Sequence, residues 1–332
     1  MRLGRVVMLV AGLLAVVNLR AETLRQVLQQ NGVPTSAFKP AELDAQVSSG
    51  AADSSGDRVI LAYPALGEQE RIGAPLEVLM YQRATRKLMR RTVTPAETSD
   101  ECFGSVLRIF GLAGYILVET HINPSASCTI VLDSELRVKH TLFGWSVAQL
   151  GQDAILLEED EIHFASVHPL RLAVFDPAAG LAQEVYPPDG DPLRERFSSD
   201  LNQHLPTAAW CREHNHPCDP SSFDEDLGEA AYADSEGRKF AFVASYDAGG
   251  FGDAAERAVG IRSVLYVYRR SGEGWTYCQD PLSNLEVETR QELLKNNFEQ
   301  ATGRCTHGTD VKVRPVASPF SDIPVGGRAA RP

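Results

Sequence analysis

An all-β fold, an irregular or propeller-like array of about four antiparallel sheet units with short peripheral helices, is predicted by three observations. The first is an internal echo. Ser105–Ile109, Tyr115–Glu119 and Ile130–Ser134 recur in the same order as Ser146–Leu150, Ala154–Glu158 and Ala173–Pro177, at offsets of 41, 39 and 43 residues. The second is a polarity gradient inside the repeated unit. Tyr115–Val118 and Ile130–Leu132 are unbroken apolar runs suited to strands buried on both faces, whereas Leu136, Val138, His140 and Leu142 alternate with Arg137, Lys139 and Thr141 as in a half-exposed outer strand. The third is that strand-like runs flank the repeat, at 59–63, 76–82 and 87–93 before it and at 239–246 and 263–270 after it. A β-sandwich is the closest alternative, because hairpins alone do not separate radial from face-to-face packing.

In chain order, residues 1–21 read as a signal peptide: Arg2 and Arg5 precede the apolar run Val6–Val17, and Ala21 offers a small residue for cleavage. That run is shorter than the roughly 20 residues a membrane-spanning helix needs, and no later segment is longer, so no transmembrane span is expected in the mature chain. Residues 22–57 form a short helical segment and linker. Leu24, Val27 and Leu28 have helical spacing behind Thr23, Pro40 opens a second helix, and 48–56 is small and polar. The β-rich domain covers 58–280 and carries a helical, acidic insertion at 188–237, where Leu193, Phe197 and Leu201 have helical spacing. A C-terminal helix and disulfide-stapled segment occupy 281–314, with the helix over Glu288–Gln300, and the Pro- and Gly-rich 315–332 reads as a disordered tail.

Six cysteines behind a signal peptide read as disulfides made in an oxidising compartment, secreted or periplasmic. Pairing of neighbours is expected: Cys102 with Cys128, Cys211 with Cys218, and Cys278 with Cys305. Residues 1–21 contain three arginines and no acid, so the remainder has 29 basic against 44 acidic residues, a formal charge of −15. That sign argues against nucleic acid as a partner.

Ser263-Val264-Leu265-Tyr266-Val267-Tyr268-Arg269-Arg270-Ser271-Gly272-Glu273-Gly274-Trp275 resembles the closing hairpin of integrin-type β-propeller repeats. The resemblance implies blades around an axis and an interaction role, with no catalytic residues. Such repeats hold calcium in a loop of alternating Asp or Asn closed by glycine. The corresponding loop here, Asp247–Asp253, keeps only its terminal acids.

The polar clusters that could carry chemistry lie in the insertion. His214 and His216 fall on one side of an extended segment between Cys211 and Cys218, and with Asp219 could bind zinc or copper. A disulfide-closed surface loop with exposed histidines is the favoured reading, because six intervening residues exceed the usual spacing of zinc thiolates. Asp224, Glu225 and Asp226, with Asp219 and Glu229, could supply oxygens to calcium, but lack the Asp-x-Asp-x-Asp-Gly register, which favours a solvated acidic loop. His140 on an apolar strand face is expected to be a core histidine. Gly144-Trp145-Ser146-Val147-Ala148 lacks the second glycine of a nucleophile elbow, and no phosphate-binding loop, zinc-protease helix or dinucleotide fingerprint occurs.

No catalytic residue is therefore assigned, and no cofactor beyond candidate calcium or zinc. The expected function is an exported, non-enzymatic binding or interaction protein whose ligand is a protein or glycan. The alternative is a secreted hydrolase or lyase acting on a glycan or peptide through carboxylates in a central cleft.

Overall fold

The computed structural model describes residues 22–316 apart from 48–49, 67–72, 99–101, 103, 123–125, 159–169, 215–217, 273, 306–307 and 313. The expected signal peptide, His216 and residues 317–332 lie outside the described residues.

An N-terminal cap comes first. β1 (Glu22–Thr23) leads into α1 (Leu24–Gln30), where Thr23 and Gln26 bond each other's backbone N–H in a reciprocal capping box. After α2 (Pro40–Leu43), β2 (Gln46–Val47) returns to pair with β1. The first sheet is the meander β3 (Ala51–Ser55), β4 (Arg58–Pro64), β5 (Leu76–Gln82) and β6 (Lys87–Val93). Most of the expected linker is thus strand: Ala51 and Ala52 are small because they are buried in the sheet.

The second sheet is β7 (Ser105–Leu112), β8 (Tyr115–Ile122), β9 (Ala126–Leu132) and β10 (Val138–Phe143). The third begins with β11 (Trp145–Leu150), β12 (Ala154–Glu158), β13 (Leu172–Asp176) and β14 (Leu181–Tyr186). The sequence echo therefore marks two successive antiparallel meanders, with each repeated segment falling on the equivalent strand. Only Gly144, at φ 109°, separates β10 from β11, so one nearly continuous strand crosses from sheet to sheet.

Next come α3 (Pro192–Asn202) and α4 (Ala208–Glu213). The fourth sheet contains β15 (Asp224–Leu227), β16 (Tyr232–Ala233), β17 (Lys239–Asp247), β18 (Arg262–Ser271) and β19 (Gly274–Leu282), with α5 (Asp253–Val259) between β17 and β18. The expected insertion is shorter than 188–237, since β15 and β16 belong to this sheet. The loop after β17 forms a 3₁₀ turn and α5 in place of a propeller calcium loop. α6 (Asn284–Asn296) and α7 (Phe298–Thr302) precede β20 (Thr309–Val311), which pairs with β19. β21 (Arg314–Val316) adds to the third sheet beside β14, so the expected tail begins with a paired strand.

Strand alternation sends successive side chains into different cores. Ile60 and Ala62 of β4 pack toward the second sheet, while Val59, Leu61 and Tyr63 face the N-terminal cap. Leu117, Val131, Ile155 and Phe175 fill the space between the second and third sheets. Leu156, Leu172, Phe240, Phe242, Tyr266 and Tyr268 lie between the third and fourth. Ala241, Val243, Leu265 and Val267 face α6 and α7. The sheets thus form a propeller-like stack in which both terminal faces are covered by helices, and among the described residues no core joins the first sheet to the fourth. Among the described residues, no helix is long and apolar enough to cross a membrane.

Register shifts move side chains between these cores. A bulge between Val138 and His140 places Val138 toward the first sheet and Leu142 toward the third, so the single apolar face expected for this strand is split in two. His140 is half-buried, edge-on to Phe175 with ring centroids 5.6 Å apart, and burial lowers its pKa. A second shift between Val106 and Arg108 turns Arg108 onto buried Glu119, with Nε to Oε2 at 2.8 Å. Ser146 donates its N–H and hydroxyl to the same carboxylate, at 2.9 and 2.6 Å, tying the crossing strand to both sheets. Glu158, the echo of Glu119, accepts the Trp145 indole N–H at 2.9 Å.

All three sequence-neighbour disulfides are present, with Cα separations of 5.3, 5.8 and 5.7 Å. Cys278–Cys305 fastens the helical cap to β19 and spans 27 residues, against 7 for Cys211–Cys218. Replacing Cys278 and Cys305 by serine is expected to lower stability in urea melts by about 3–4 kcal/mol, and the shorter bridge by about 2. Equal losses would contradict the assigned role of the longer bridge.

Candidate functional site

Asp191, Arg194 and Glu225 of the insertion meet at the first turn of α3, whose Phe197 and Leu201 join the core between the third and fourth sheets. Asp191 caps this helix by accepting from the N–H groups of Leu193 and Arg194, both at 3.0 Å, and Pro192 fills the first helical position, where no N–H is needed. Phe197 and Leu201 turn inward at helical spacing and are fully buried. Their packing directs the first turn of α3 toward a buried cluster of carboxylates and phenols.

Two carboxylates organise that cluster. Glu225 points inward from β15, and its side chain is completely buried. Arg194 meets it with a forked contact, Nε to Oε1 at 2.5 Å and Nη2 to Oε2 at 2.9 Å, and Tyr186 donates to Oε1 at 3.2 Å. Burial raises the Glu225 carboxyl above its ordinary range, with Arg194 and Tyr186 offsetting only part of the shift. Burial also works against the Arg194 charge, but its contact with Glu225 outweighs this and keeps it cationic. The second carboxylate, Asp191, accepts from the hydroxyl of Tyr266 and the amide of Gln279. Tyr246 and Tyr266 share a hydroxyl–hydroxyl bond, and Tyr268 donates to the carbonyl of Val185 at 3.0 Å. Burial raises the phenols of Tyr186, Tyr246, Tyr266 and Tyr268, and pushes that of Tyr277 up to about 12, so all five remain neutral donors at neutral pH.

Beside this network is a cleft of about 240 Å³, lined by the 187–191 loop, by Arg194, Glu195 and Ser198 of α3, and by Ser221 and Phe223. The inner charges already have partners. The side chains of Glu195 and Ser198 make no hydrogen bond or ion pair with the described residues. The cleft can therefore offer outward-facing polar groups on a preorganised floor.

The sequence-selected metal residues are placed differently. His214 ends α4, stacked on Trp210 with centroids 4.0 Å apart. Its Nδ1 lies 2.9 Å from the Trp210 carbonyl, which can only accept, so Nδ1 donates to it. Asp219 accepts from the backbone N–H and hydroxyl of Ser221, which lower its pKa. Asp224 and Asp226 stand on β15 to either side of Glu225 and are less buried than it is. Among the described residues, no three His, Cys, Asp or Glu side chains come together as a metal-binding group.

Glu225 is legible in the sequence only as one oxygen donor in an acidic run, and Asp191, Arg194, Tyr186, Tyr246, Tyr266 and Gln279 are not singled out there at all, although the Pro-Pro-Asp-Gly-Asp-Pro helix start before Arg194 is visible. The acidic run was noticed, but its middle member is the one that turns inward.

No protein-family model matches this chain, and no curated protein matches it. One similar solved structure is that of a candidate 6-phosphogluconolactonase from Bacteroides fragilis, at 10% identity, covering 82% of this chain and 73% of that one, with a TM-score of 0.25. A likeness at that score carries no argument about fold or activity here.

Proposed function

We propose that this chain is an exported, non-enzymatic binding protein that receives a glycan or a polar peptide segment in the cleft beside α3. The carrying observation is that the buried carboxylates are already committed to internal partners, Glu225 to Arg194 and Asp191 to Tyr266, Gln279 and the helix start, while the outward polar groups Glu195 and Ser198 line an open cleft. A fixed floor with available hydrogen-bonding groups at its rim suits recognition of hydroxyls and amides. Three disulfides fit folding in an oxidising compartment, secreted or periplasmic.

The hydrolase or lyase reading has one observation in its favour, the raised pKa of Glu225 near a second carboxylate. One experiment separates the two. The full chain is screened against chito-, cello- and xylo-oligosaccharides and against short hydrophilic peptides, with binding followed by calorimetry and ligand integrity by mass spectrometry. A bound ligand recovered intact, whose affinity falls at least tenfold in Ser198→Trp, is the expected result. Products that disappear in Asp191→Asn would instead establish the enzyme.

A further inference from the structure

On the other flank of α3, a second cleft of about 290 Å³ lies against the ends of β18 and β19. Leu193, Ile261, Val264, Pro281 and Leu282 make its walls apolar, and Ile261 is 52% exposed. Its polar complement is small. Tyr246 and Ser263 direct their hydroxyls to Tyr266 and Ser245, and Arg262 is paired with Asp200 at 2.7 Å while lying over the Phe197 ring. Arg196 alone among these groups makes no ion pair or hydrogen bond with the described residues, and it does so in a chain of net charge −12. An apolar recess with one uncompensated cation at its edge is complementary to an apolar body ending in one anion.

We propose that this cleft binds a medium-chain carboxylate, with the alkyl chain against Leu193, Ile261, Val264 and Leu282 and the carboxylate on the guanidinium of Arg196. The volume is close to the lower end for ligand pockets, which favours a chain of roughly eight carbons over a long lipid. A peptide C-terminus shares the anionic head but brings amides that need partners, and Tyr246, Ser263 and Arg262 are already engaged. The proposal does not depend on the polar cleft on the opposite flank of α3.

Calorimetry of the full chain with hexanoate, octanoate and decanoate tests it, with octanol and octyltrimethylammonium as head-group controls. One site is expected, with affinity rising about threefold to fourfold per methylene until the cleft is filled. Octanol should bind about tenfold more weakly, as should octanoate to Arg196→Gln, with partial recovery in Arg196→Lys. Ile261→Asp, at an exposed position that the fold does not require to be apolar, should abolish binding. The proposal is overturned if octanoate does not bind at 5 mM (roughly the weakest affinity such a chain should show), if octanol or the cation binds as tightly, if either Arg196→Gln or Ile261→Asp binds octanoate normally, or if an acetylated peptide ending in leucine binds more tightly than octanoate.

Discussion

Replacing Arg194 with methionine is expected to destabilise the protein by about 3–5 kcal/mol at pH 8 and by much less near pH 5. Arg194 holds the fully buried side chain of Glu225 in a two-point contact, and methionine retains much of the packing against Phe223 while removing the charge. The folded variant must then either bury an unpaired carboxylate or protonate it. Burial already raises the Glu225 pKa from its reference value of 4.5, and loss of Arg194 raises it further. Between the unfolded and folded pKa values, the folded state holds one more proton than the unfolded state. Its stability is therefore fully retained below the unfolded pKa and falls as pH rises, by up to about 1.4 kcal/mol per pH unit. Urea melts of wild type and variant from pH 4.5 to 8.5 read this as a widening difference, since titrations common to both cancel. Adding Glu225→Gln preserves an acceptor for Tyr186 and should flatten the pH dependence. A deficit of the same size at every pH would mean that Arg194 acts through packing alone.

That pair also shows why the fold was more legible in the sequence than the site. The repeated segments at 105–134 and 146–177 declare strands because each must satisfy two cores, and a chain in which both faces of a strand are buried leaves long apolar runs. The even count of cysteines made disulfides legible, whereas the neighbour pairing is one of fifteen and is set by which strands and helices the fold brings together. Glu225 offers no comparable signal. It is flanked by Asp224 and Asp226, and nothing in three consecutive acids says which one enters the interior until β15 pairs with β17. Its partners come from 31 and 39 residues away, on α3 and β14. The helical caps were visible as amphipathic spacing, but their role was not. That they cover the two outer faces of a sheet stack follows only from which side of β4 and β17 each alternating residue occupies.

Gly237→Ala should cost about 3 kcal/mol or more, lowering Tm by roughly 5–10 °C, although only one methyl group is added. Gly237 lies in the turn before β17 at φ +67°, and Gly151, in the turn between β11 and β12, has φ +63°. A Cβ on Gly237 would fall 2.3 Å from the carbonyl carbon of Leu150 and 2.5 Å from the amide nitrogen of Gly151. One on Gly151 would fall 2.8 Å from the Glu236 carbonyl oxygen. The turns of the third and fourth sheets thus cross backbone against backbone, and no side-chain rotation can relieve the clash. Gly32 is the control, because its φ of +66° is nearly the same but a Cβ there would meet nothing within 4 Å. Gly32→Ala therefore measures the left-handed backbone cost alone, about 1–2 kcal/mol. The excess loss in Gly237→Ala isolates the crossing, and the crossing sets the spacing of the two sheets that enclose the tyrosine cluster beneath α3. If the two alanine variants melt together, the turns do not touch in solution and the sheets are spaced by side-chain packing alone. If they differ as expected, Gly237→Ala should also weaken ligand binding at α3 more than Gly32→Ala does, because separating the sheets moves β14 and Tyr186 away from Glu225 on β15.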